Sequence, residues 1–464
     1  MNSAKLEKVF NPRSIAVIGA TRNPIKLGHK ILKAVIGSKF CGQVYPVGIQ
    51  TGPICCLKSY RSVLEISDKV DLALVAVPSS CVLKVIEECG LKGVSHAIVF
   101  SAGFSETKNG MKLEQELIDT ADRSGTRIIG PNTNGIRNFM GLNATFTPKE
   151  KFRIGNVGII CQSGGYGRFL LEYGEAEALG FSKFINLGNS CDVGFAEVLD
   201  FLACDPFTKV ILLHIEGFKK EGEGRKFMIA AKRAVKSKPI IVLKTGRMSS
   251  ARRAIQSHTG SLAGSDLMYD GLFRQTRILR VCDGVEMIDI AKALSILRVR
   301  ASGNSVAILT NLGGPAIVAS DICESNGLAV NELREETKSK LGAILPSTAS
   351  YGNPVDLASA WPNLKLYYNT LSILVDDAGV DAVILIVFIE TRTSNIPAHD
   401  IAALSDQYSK PIVACILSPY RRIMSQYIMA FEREGIPCYR SLERAAKAMV
   451  GVIKCSRESA RDNS

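Results

Sequence analysis

Residues Asn156-Val-Gly-Ile-Ile-Cys-Gln-Ser-Gly-Gly-Tyr-Gly167 combine an apolar strand pattern with a glycine-rich turn, and a helical pattern follows from Phe169 to Leu179. Strand, turn and helix in this order are typical of an α/β unit with a parallel sheet. A turn that enters a helix offers free N–H groups and the positive end of the helix dipole, so this turn predicts an anion site. Ser163 as a plain helix N-cap is an equally good interpretation.

The same order of elements occurs nearer the amino terminus. An apolar strand pattern at 14–18 ends in Gly19, and a helical pattern runs from Leu27 to Ile36. The turn lacks a full G-x-G-x-x-G, and the next strand, at 43–49, ends without the acid that grips a ribose in dinucleotide-binding folds. Further strand ends at 78–80, 101–104 and 130–135 are rich in small and polar residues. Since open α/β sheets bind ligands at such ends, five of them favour an extended phosphate-bearing ligand.

A third α/β unit follows an apparent linker at 301–304. Its first strand, at 305–309, leads into Thr310-Asn-Leu-Gly-Gly-Pro315 and a helical pattern, and later strands at 382–388 and 411–417 complete a sheet. We therefore predict an α/β chain of three domains: a Rossmann-like domain at 1–147 and two flavodoxin-like domains at 148–300 and 301–464.

The amino-acid composition limits the classes of protein to which this chain can belong. Of 464 residues, 46% are hydrophobic and 22% charged, as in ordinary globular proteins. No apolar run reaches the length of a membrane span, and residues 1–10 lack the apolar core of a signal peptide, so we expect a cytoplasmic protein without a membrane association.

The 13 cysteines are irregularly spaced and contain no C-x-x-C pair, which predicts reduced thiols and no metal site. The formal charge is +13, and 219–253 holds 12 Lys or Arg. No nucleic-acid motif accompanies them, so phosphorylated small molecules or an acidic partner subunit are better candidates than nucleic acid.

His258, one of five histidines, lies in Ala254-Ile-Gln-Ser-His-Thr-Gly-Ser-Leu-Ala-Gly-Ser-Asp266. A neutral imidazole among small residues can accept a phosphoryl group as a covalent intermediate. Glu216, at the end of the predicted strand 210–215, is suited to orienting an imidazole. An incidental histidine in a solvated loop and a surface acid are the plain alternatives.

Four segments together are specific: Gln162-Ser-Gly-Gly165, Ile215-Glu-Gly217, Ser257–Asp266 and Asn353-Pro-Val-Asp356. In this order and at these separations they resemble the α subunit of NDP-forming acyl-CoA synthetases, the ADP-forming acetate–CoA ligases, which are relatives of succinyl-CoA synthetase. The resemblance covers roughly residues 5–455. It implies the reversible reaction of acyl-CoA, ADP and phosphate to give acid, CoA and ATP, through an acyl phosphate and a phosphohistidine.

The resemblance assigns roles to single residues. It implies that His258 carries the phosphoryl group on a swinging loop and that Glu216 orients and steadies it. Phosphate would bind at the amino ends of two helices. One follows Ser163, Gly164 and Gly165, and the other follows Asn353–Asp356 and includes Ser359. At that second helix the sequence 358–362 lacks the usual Gly-Asp, and Tyr166 stands where small residues are common.

The resemblance also places coenzyme A on the first domain, with its thiol towards Asn132 and Thr133. The other expected CoA-binding residues are Gly19, Thr21, Arg22, Lys26, Val47, Val77, Pro78, Ser101 and Gly103. Val47-Gly48-Ile49 departs from the common Val-Asn-Pro. The absent ribose acid agrees with CoA better than with NAD.

No segment resembles an ATP-grasp domain. The resemblance therefore implies a separate ATP-grasp β subunit that holds ATP or ADP and Mg²⁺, in a heterotetramer such as α₂β₂. Two other hypotheses stay open from the sequence. One is a non-catalytic CoA-binding or regulatory module. The other is a serine hydrolase with Ser163 as nucleophile, His258 as base and Asp192 or Asp266 as orienting acid.

Overall fold

The computed structural model describes residues 3–107, 109–147, 152–251, 265–358, 364–389 and 397–460. The chain divides into two compact units, Met1–Cys282 and Asp283–Ser464. Within the described residues there are three sheets, two in the first unit and one in the second. Helices follow most of their parallel strands, so the predicted α/β class is confirmed.

The first sheet has five parallel strands in the order β2-β1-β3-β4-β5 among the described residues. Alternate side chains of β1 belong to two different apolar clusters, one on each face of the sheet, because helices cover both faces. The strands are β1 (Ser14–Ile18), β2 (Gln43–Val47), β3 (Leu72–Val75), β4 (His96–Val99) and β5 (Arg127–Ile129). The helices are α1 (Ser3–Phe10), α2 (Leu27–Ile36), α3 (Ser79–Lys92) and α4 (Met111–Ser124), with a 3₁₀ turn at Val63–Glu65.

The second sheet has seven described strands in the order β12-β11-β10-β8-β9-β6-β7, of which β6 and β7 are antiparallel. The strands are β6 (Gly135–Asn138), β7 (Leu142–Thr145), β8 (Ile154–Cys161), β9 (Phe181–Asn186), β10 (Val210–Ile215), β11 (Ile240–Lys244) and β12 (Leu279–Val281). The helices are α5 (Gly164–Ala176), α6 (Phe195–Cys204), α7 (Glu223–Ala234) and α8 (Asp266–Thr276).

The second unit contains a parallel sheet whose described strands have the order β14-β13-β15-β16-β17. The strands are β13 (Val306–Thr310), β14 (Val355–Asp356), β15 (Ala382–Phe388), β16 (Ile412–Leu417) and β17 (Cys438–Tyr439). The helices are α9 (Gly284–Ile296), α10 (Gly313–Ser325), α11 (Glu335–Ile344), α12 (Leu364–Asp376), α13 (Ala398–Tyr408), α14 (Arg421–Glu434) and α15 (Leu442–Ala460).

The three sheets share one strand order. Numbered by the order of their parallel strands along the chain, each reads 2-1-3-4-5, the flavodoxin-like order. The chain reverses direction across such a sheet between its first and third strands, and ligands bind at the carboxyl ends of these two strands. The switch points lie between β1 and β3, between β8 and β10, and between β13 and β15.

Two features bear on the expected domain limits at 147/148 and 300/301, which stay a prediction. Strands β6 and β7 precede residue 148 but belong to the second sheet, and α9 precedes residue 301 but lies in the second unit, against α15. In the first unit, Arg127 at the start of β5 binds Asp192 and Glu197 of the second-sheet region, with N–O distances of 2.8 Å to each. The hydrogen bonds that Arg127 donates to the Asp192 carboxylate raise the pKa of the Arg127 guanidinium further. These contacts join the two sheets of the unit.

No described helix is long and apolar enough to cross a membrane.

Candidate functional site

The second switch point brings Ser163 and Glu216 to neighbouring strand ends. His214 of β10 pairs with Cys161 of β8, so the residues that follow these strands leave the sheet side by side. The Gln162 N–H donates to the His214 carbonyl oxygen at 3.1 Å and keeps this pairing beyond the end of β8. The sequence-predicted acid and the sequence-predicted phosphate turn therefore share one site.

Buried side chains hold the turn at residues 216–218 by its backbone. Gln162 is 2% exposed; its Oε1 accepts hydrogen bonds from the N–H groups of Glu216 at 2.8 Å and Gly217 at 3.1 Å. Its Nε2 donates to the Gly217 carbonyl oxygen at 3.1 Å. The Lys244 ammonium donates to the Glu216 carbonyl oxygen at 2.8 Å. Glu216 is thus fixed from β8 and from β11, the strands on either side of its own.

Helix α5 begins at the same place. Ser163 is its N-cap, and its hydroxyl oxygen accepts a hydrogen bond from the Tyr166 N–H at 3.4 Å. Asn134 Nδ2 donates to the Gly164 carbonyl oxygen at 2.8 Å, and a side chain at Gly165 would meet open space. Burial, followed by the negative charge of Glu216, raises the pKa of the Cys161 thiol. The N-cap interpretation of Ser163 is confirmed, and an anion site at this helix start stays a prediction.

An aromatic pair lies beside this helix start. The Tyr166 ring stacks on the His214 ring with centroids 4.5 Å apart and planes 20° apart. His214 is 2% exposed, and burial, then the charge of Lys244, lowers its pKa to about 3. The imidazole is therefore neutral at pH 7, and its ring face packs against Tyr166, a contact that sequence analysis did not predict.

Two predicted site residues, His258 and Ser359, lie outside the described residues. The described helix after Asp356 is α12, which begins at Leu364. At the third switch point, helix α10 begins at Gly313. A Cβ built on Gly313 would lie 3.0 Å from Asp356 Oδ2, so the start of this helix lies beside the end of β14. Helix α10 therefore follows the first strand of its sheet, as α5 follows the first parallel strand of the second sheet. The glycine-rich turn at 310–315 was the sequence feature that indicated the start of this helix.

The predicted CoA-binding residues all lie at the carboxyl edge of the first sheet. Hydrogen bonds connect several of them across strands. The Ser101 hydroxyl donates to the Val77 carbonyl oxygen at 2.5 Å, and the Asn132 N–H donates to the Ser101 carbonyl oxygen at 2.9 Å. Gly19 donates to the Val47 carbonyl oxygen at 2.9 Å. Thr21, Arg22, Lys26, Pro78 and Gly103 follow the same strand ends, and Lys26 and Pro78 are exposed.

The turn after β1 requires glycine. Gly19 has a φ of 97°, and a Cβ on Gly28, in the first turn of α2, would lie 1.9 Å from the Gly19 carbonyl oxygen. A Cβ on Gly48 would lie 2.3 Å from the Ala20 carbonyl oxygen. The helix and the β2 end therefore pack directly on the turn, which requires glycine at position 48, where Asn is common in the family pattern.

Two of the predicted residues have contacts within the protein. The Arg22 guanidinium donates to the carbonyl oxygens of Thr51 at 2.5 Å and Pro53 at 3.0 Å. Thr133 is 2% exposed, and its hydroxyl group donates to Asn186. Arg22 thus shapes the loop at 50–53, while Thr133 connects the last turn of the first sheet to β9.

A buried polar network behind Asn132 was missed by sequence reasoning. Asn189 is fully buried; its Nδ2 donates to Glu106 at 2.6 Å and Glu114 at 2.7 Å, and its Oδ1 accepts from Asn132 Nδ2 at 3.4 Å. Lys219 Nζ lies 3.7 Å from Glu114. Burial disfavours the charge of Glu106, but the hydrogen bonds from Asn189 and backbone N–H groups outweigh it, so its pKa is lowered. Two carboxylates thus fix the orientation of the Asn189 amide towards Asn132.

The serine hydrolase hypothesis is not favoured by this geometry. Ser163 Oγ serves as a helix cap, Asp192 forms the ion pair with Arg127, and Asp266 pairs with Arg280 at 2.5 Å. Both acids that this hypothesis would use are therefore already paired with arginines. In the described ranges, no group of three or more His, Cys, Asp or Glu could hold a metal ion.

Comparison with known proteins agrees with this arrangement. The chain is 39% identical over 456 residues to the α subunit of acetate–CoA ligase [ADP-forming] II of Pyrococcus furiosus, which covers 97% of each chain. The α subunit of the type I enzyme of the same organism is 38% identical and covers 98% of this chain and 99% of the relative. The chain belongs to the family of ADP-forming acetate–CoA ligase α subunits.

The family assignment extends to each sheet. Residues 13–138 match a CoA binding domain, residues 154–294 a succinyl-CoA ligase like flavodoxin domain, and residues 306–417 a ligase-CoA domain. A solved structure from Ca. Korarchaeum cryptofilum, a dinucleotide forming acetyl-coenzyme A synthetase 1 in complex with phosphate and ADP, superposes with a TM-score of 0.89 at 34% identity. It covers 99% of this chain and 98% of that chain. The chain is therefore a ligase α subunit with a CoA-binding domain, and the regulatory-module hypothesis is not favoured.

Proposed function

We propose that this α subunit converts acyl-CoA, phosphate and ADP to acid, CoA and ATP through a phosphohistidine at His258. The observation that carries the proposal is the second switch point, where the start of α5 and Glu216 meet. The segment that contains His258 follows β11 in the chain, and β11 is the strand next to β10 in the sheet.

The reaction divides into three transfers. Phosphate attacks the acyl carbon of the thioester and displaces the CoA thiolate, which gives an acyl phosphate. The His258 imidazole then takes the phosphoryl group and releases the acid. ADP finally takes the phosphoryl group from His258, which gives ATP and restores the imidazole.

The chain's residues have separate roles in these steps. The N–H groups at Ser163, Gly164 and Gly165 would bind the phosphoryl oxygens before and during transfer, since helix starts provide donors without side-chain reorganisation. Glu216 would accept a hydrogen bond from the imidazole N–H and stabilise the cation that forms. Ser359 is the corresponding candidate in the second unit. The CoA-binding edge of the first sheet would present the thioester near Asn132.

We further propose that the nucleotide and Mg²⁺ bind to a separate ATP-grasp β subunit in an α₂β₂ assembly, and that the enzyme acts in the cytoplasm. The relatives in Pyrococcus furiosus are named as α subunits, which supports a β partner. The positive charge of 219–253 supports either phosphorylated ligands or an acidic partner surface.

Labelling without nucleotide tests the proposal. The chain, purified with its β subunit, is incubated with radioactive phosphate and a panel of acyl-CoAs. We expect acid-labile, alkali-stable label on His258, and the acyl-CoA that labels fastest identifies the acyl group. His258→Asn should abolish label and turnover but retain CoA binding, whereas the exposed His399→Gln should change neither. Turnover without label on His258 would contradict the proposal.

A further inference from the structure

His258 lies in the segment between Lys244 and Tyr269. The structure describes both flanks of this segment, 244–251 and 265–269, and each flank contacts the turn at residues 216–218. Lys244 is the last residue of β11, and Tyr269 is in the first turn of α8. We propose that Lys244 and Tyr269 are positioning residues that fix the two ends of the His258 segment to the Glu216 turn. This inference rests on the proposed roles of His258 and Glu216.

Lys244 joins three parts of the site through one ammonium group. The side chain is 2% exposed, and Nζ donates to the carbonyl oxygens of Glu216, at 2.8 Å, and Thr245. The same Nζ lies 4.5 Å from the centroid of the Tyr269 ring, in the range of a cation–π contact. Thr245 begins the segment and Tyr269 follows it, so the ammonium group connects both flanks to the backbone of Glu216.

Tyr269 holds the other side of the turn. It is 6% exposed, and its hydroxyl oxygen accepts a hydrogen bond from the Phe218 N–H at 2.9 Å. Its ring packs against the Phe218 ring with centroids 5.5 Å apart. With Gln162, the two side chains bind the backbone of residues 216, 217 and 218 in succession, so Glu216 and the flanks form one connected structure.

A second contact joins the two flanks to each other, nearer to the protein surface. Arg247 Nε lies 3.6 Å from Asp266 Oδ2, and Arg280 Nη2 lies 2.5 Å from Asp266 Oδ1. Burial disfavours the charge of Asp266, but Arg280 and then Arg247 outweigh it and lower its pKa. Because these side chains are partly exposed, we expect this contact to contribute less than the buried one.

The physical consequence is a restricted geometry for phosphoryl transfer. Lys244 and Tyr269 hold the two described flanks and the backbone of the Glu216 turn in one connected structure. Loss of one contact leaves the ligands in place but makes the reacting geometry rarer, and misplacement by about 1 Å reduces a rate by about 100-fold. The effect therefore belongs to the rate constant of transfer and not to the affinity for acyl-CoA.

Tyr269→Phe tests the inference with the smallest change, since it removes one hydroxyl group and keeps the ring. In the complex with the β subunit, we expect the rate constant of His258 labelling from acyl-CoA and phosphate to fall about 10-fold, with the KM for acyl-CoA and the Kd for CoA unchanged. Lys244→Met should reduce the rate constant about 100-fold. Asp266→Asn should reduce it about threefold. Tyr420→Phe, at an exposed tyrosine, is the matched control.

The outcomes separate the two proposals. No label on wild-type His258 overturns the proposed function. Normal wild-type labelling with unchanged rate constants in Tyr269→Phe and Lys244→Met overturns the positioning inference alone. A loss of labelling that follows a parallel loss of CoA affinity also overturns it, because general loosening of the fold then explains the result.

Discussion

The first and second sheets have the same strand order and equivalent switch points, but different features shape the carboxyl edges of the two sheets. At the first, glycines bring backbone against backbone, as where Gly28 packs on Gly19. At the second, the side chains of Gln162, Lys244 and Tyr269 bind the backbone of the turn that carries Glu216.

The proposed roles of the two edges account for the difference. At the first edge, glycine removes the side chain that would keep two backbone segments apart, so Gly28 of α2 and Gly48 after β2 pack directly on the turn after β1. At the second edge, the proposed role of Glu216 beside an imidazole needs a fixed position, and the hydrogen bonds that fix its turn connect residues 28, 51 and 55 positions apart. The comparison predicts that added volume damages the first edge and that lost polar groups damage the second.

Gly28→Ala is expected to have the largest effect. The new Cβ would lie 1.9 Å from the Gly19 carbonyl oxygen, so α2 must move away from the turn. We expect the free energy of unfolding of the first unit to fall by more than about 3 kcal/mol, and the Kd for CoA to rise at least about 10-fold. Calorimetry and equilibrium CoA binding measure the two changes.

Gly271→Ala is the matched control, because a Cβ there meets nothing within 4 Å and the residue lies inside α8. It should leave CoA binding unchanged and stabilise the protein by about 0.5–1 kcal/mol. Equal effects of the two substitutions would remove the distinction drawn for the first edge.

Gln162→Met is the corresponding test at the second edge. It preserves the approximate volume but removes the hydrogen bonds to Glu216 and Gly217 in a buried turn. We expect a loss of about 2–3 kcal/mol in stability and a fall of about 10- to 100-fold in the rate of His258 labelling, with CoA affinity retained. Gln115→Met, on the exposed face of α4, is the control. A change in CoA affinity with normal labelling would contradict the division of roles.

The pH dependence of stability gives a further test at the second edge, through His214. Because its pKa in the folded chain is lowered to about 3, the unfolded chain binds the extra proton as the pH falls below its ordinary value of about 6.5. The stability from the neutral imidazole is therefore complete above that pH and is lost progressively towards pH 3. Between pH 7 and pH 5 the wild type should lose about 2 kcal/mol more than His214→Phe. Amide hydrogen exchange in β10, measured against urea at both pH values, gives the comparison, and equal losses would show that the folded imidazole is charged.

Sequence reasoning found the features whose signal is local. The strand–turn–helix patterns predicted the α/β class, and small residues and glycines at strand ends predicted a phosphate-bearing ligand at the first sheet, whereas the single CoA-binding residues were expected from the family resemblance. The Ser163 turn and Glu216 were identified from their strand ends, although the sequence alone did not show that β8 and β10 are neighbours. His258 and Ser359, the assigned CoA contacts and the expected domain limits stay predictions.

Other features had no local signal. Lys244 and Tyr269 look like an ordinary strand end and an ordinary helix residue, and Asn189 looks like a loop asparagine. Their importance arises from contacts that the sheet order creates, which no periodicity or spacing encodes.

The sequence by itself determined which residue types and backbone conformations are available: apolar strands that must be buried on both faces, glycines that permit close turns, and a histidine and a carboxylate with the right chemistry. Only the tertiary structure decided which strand ends are neighbours, and hence which side chain satisfies which buried backbone group. The physical reason is that chain patterns record local preferences, whereas the hydrogen bonds and cation–π contact that fix Glu216 form only after distant strands have taken their places in the sheet.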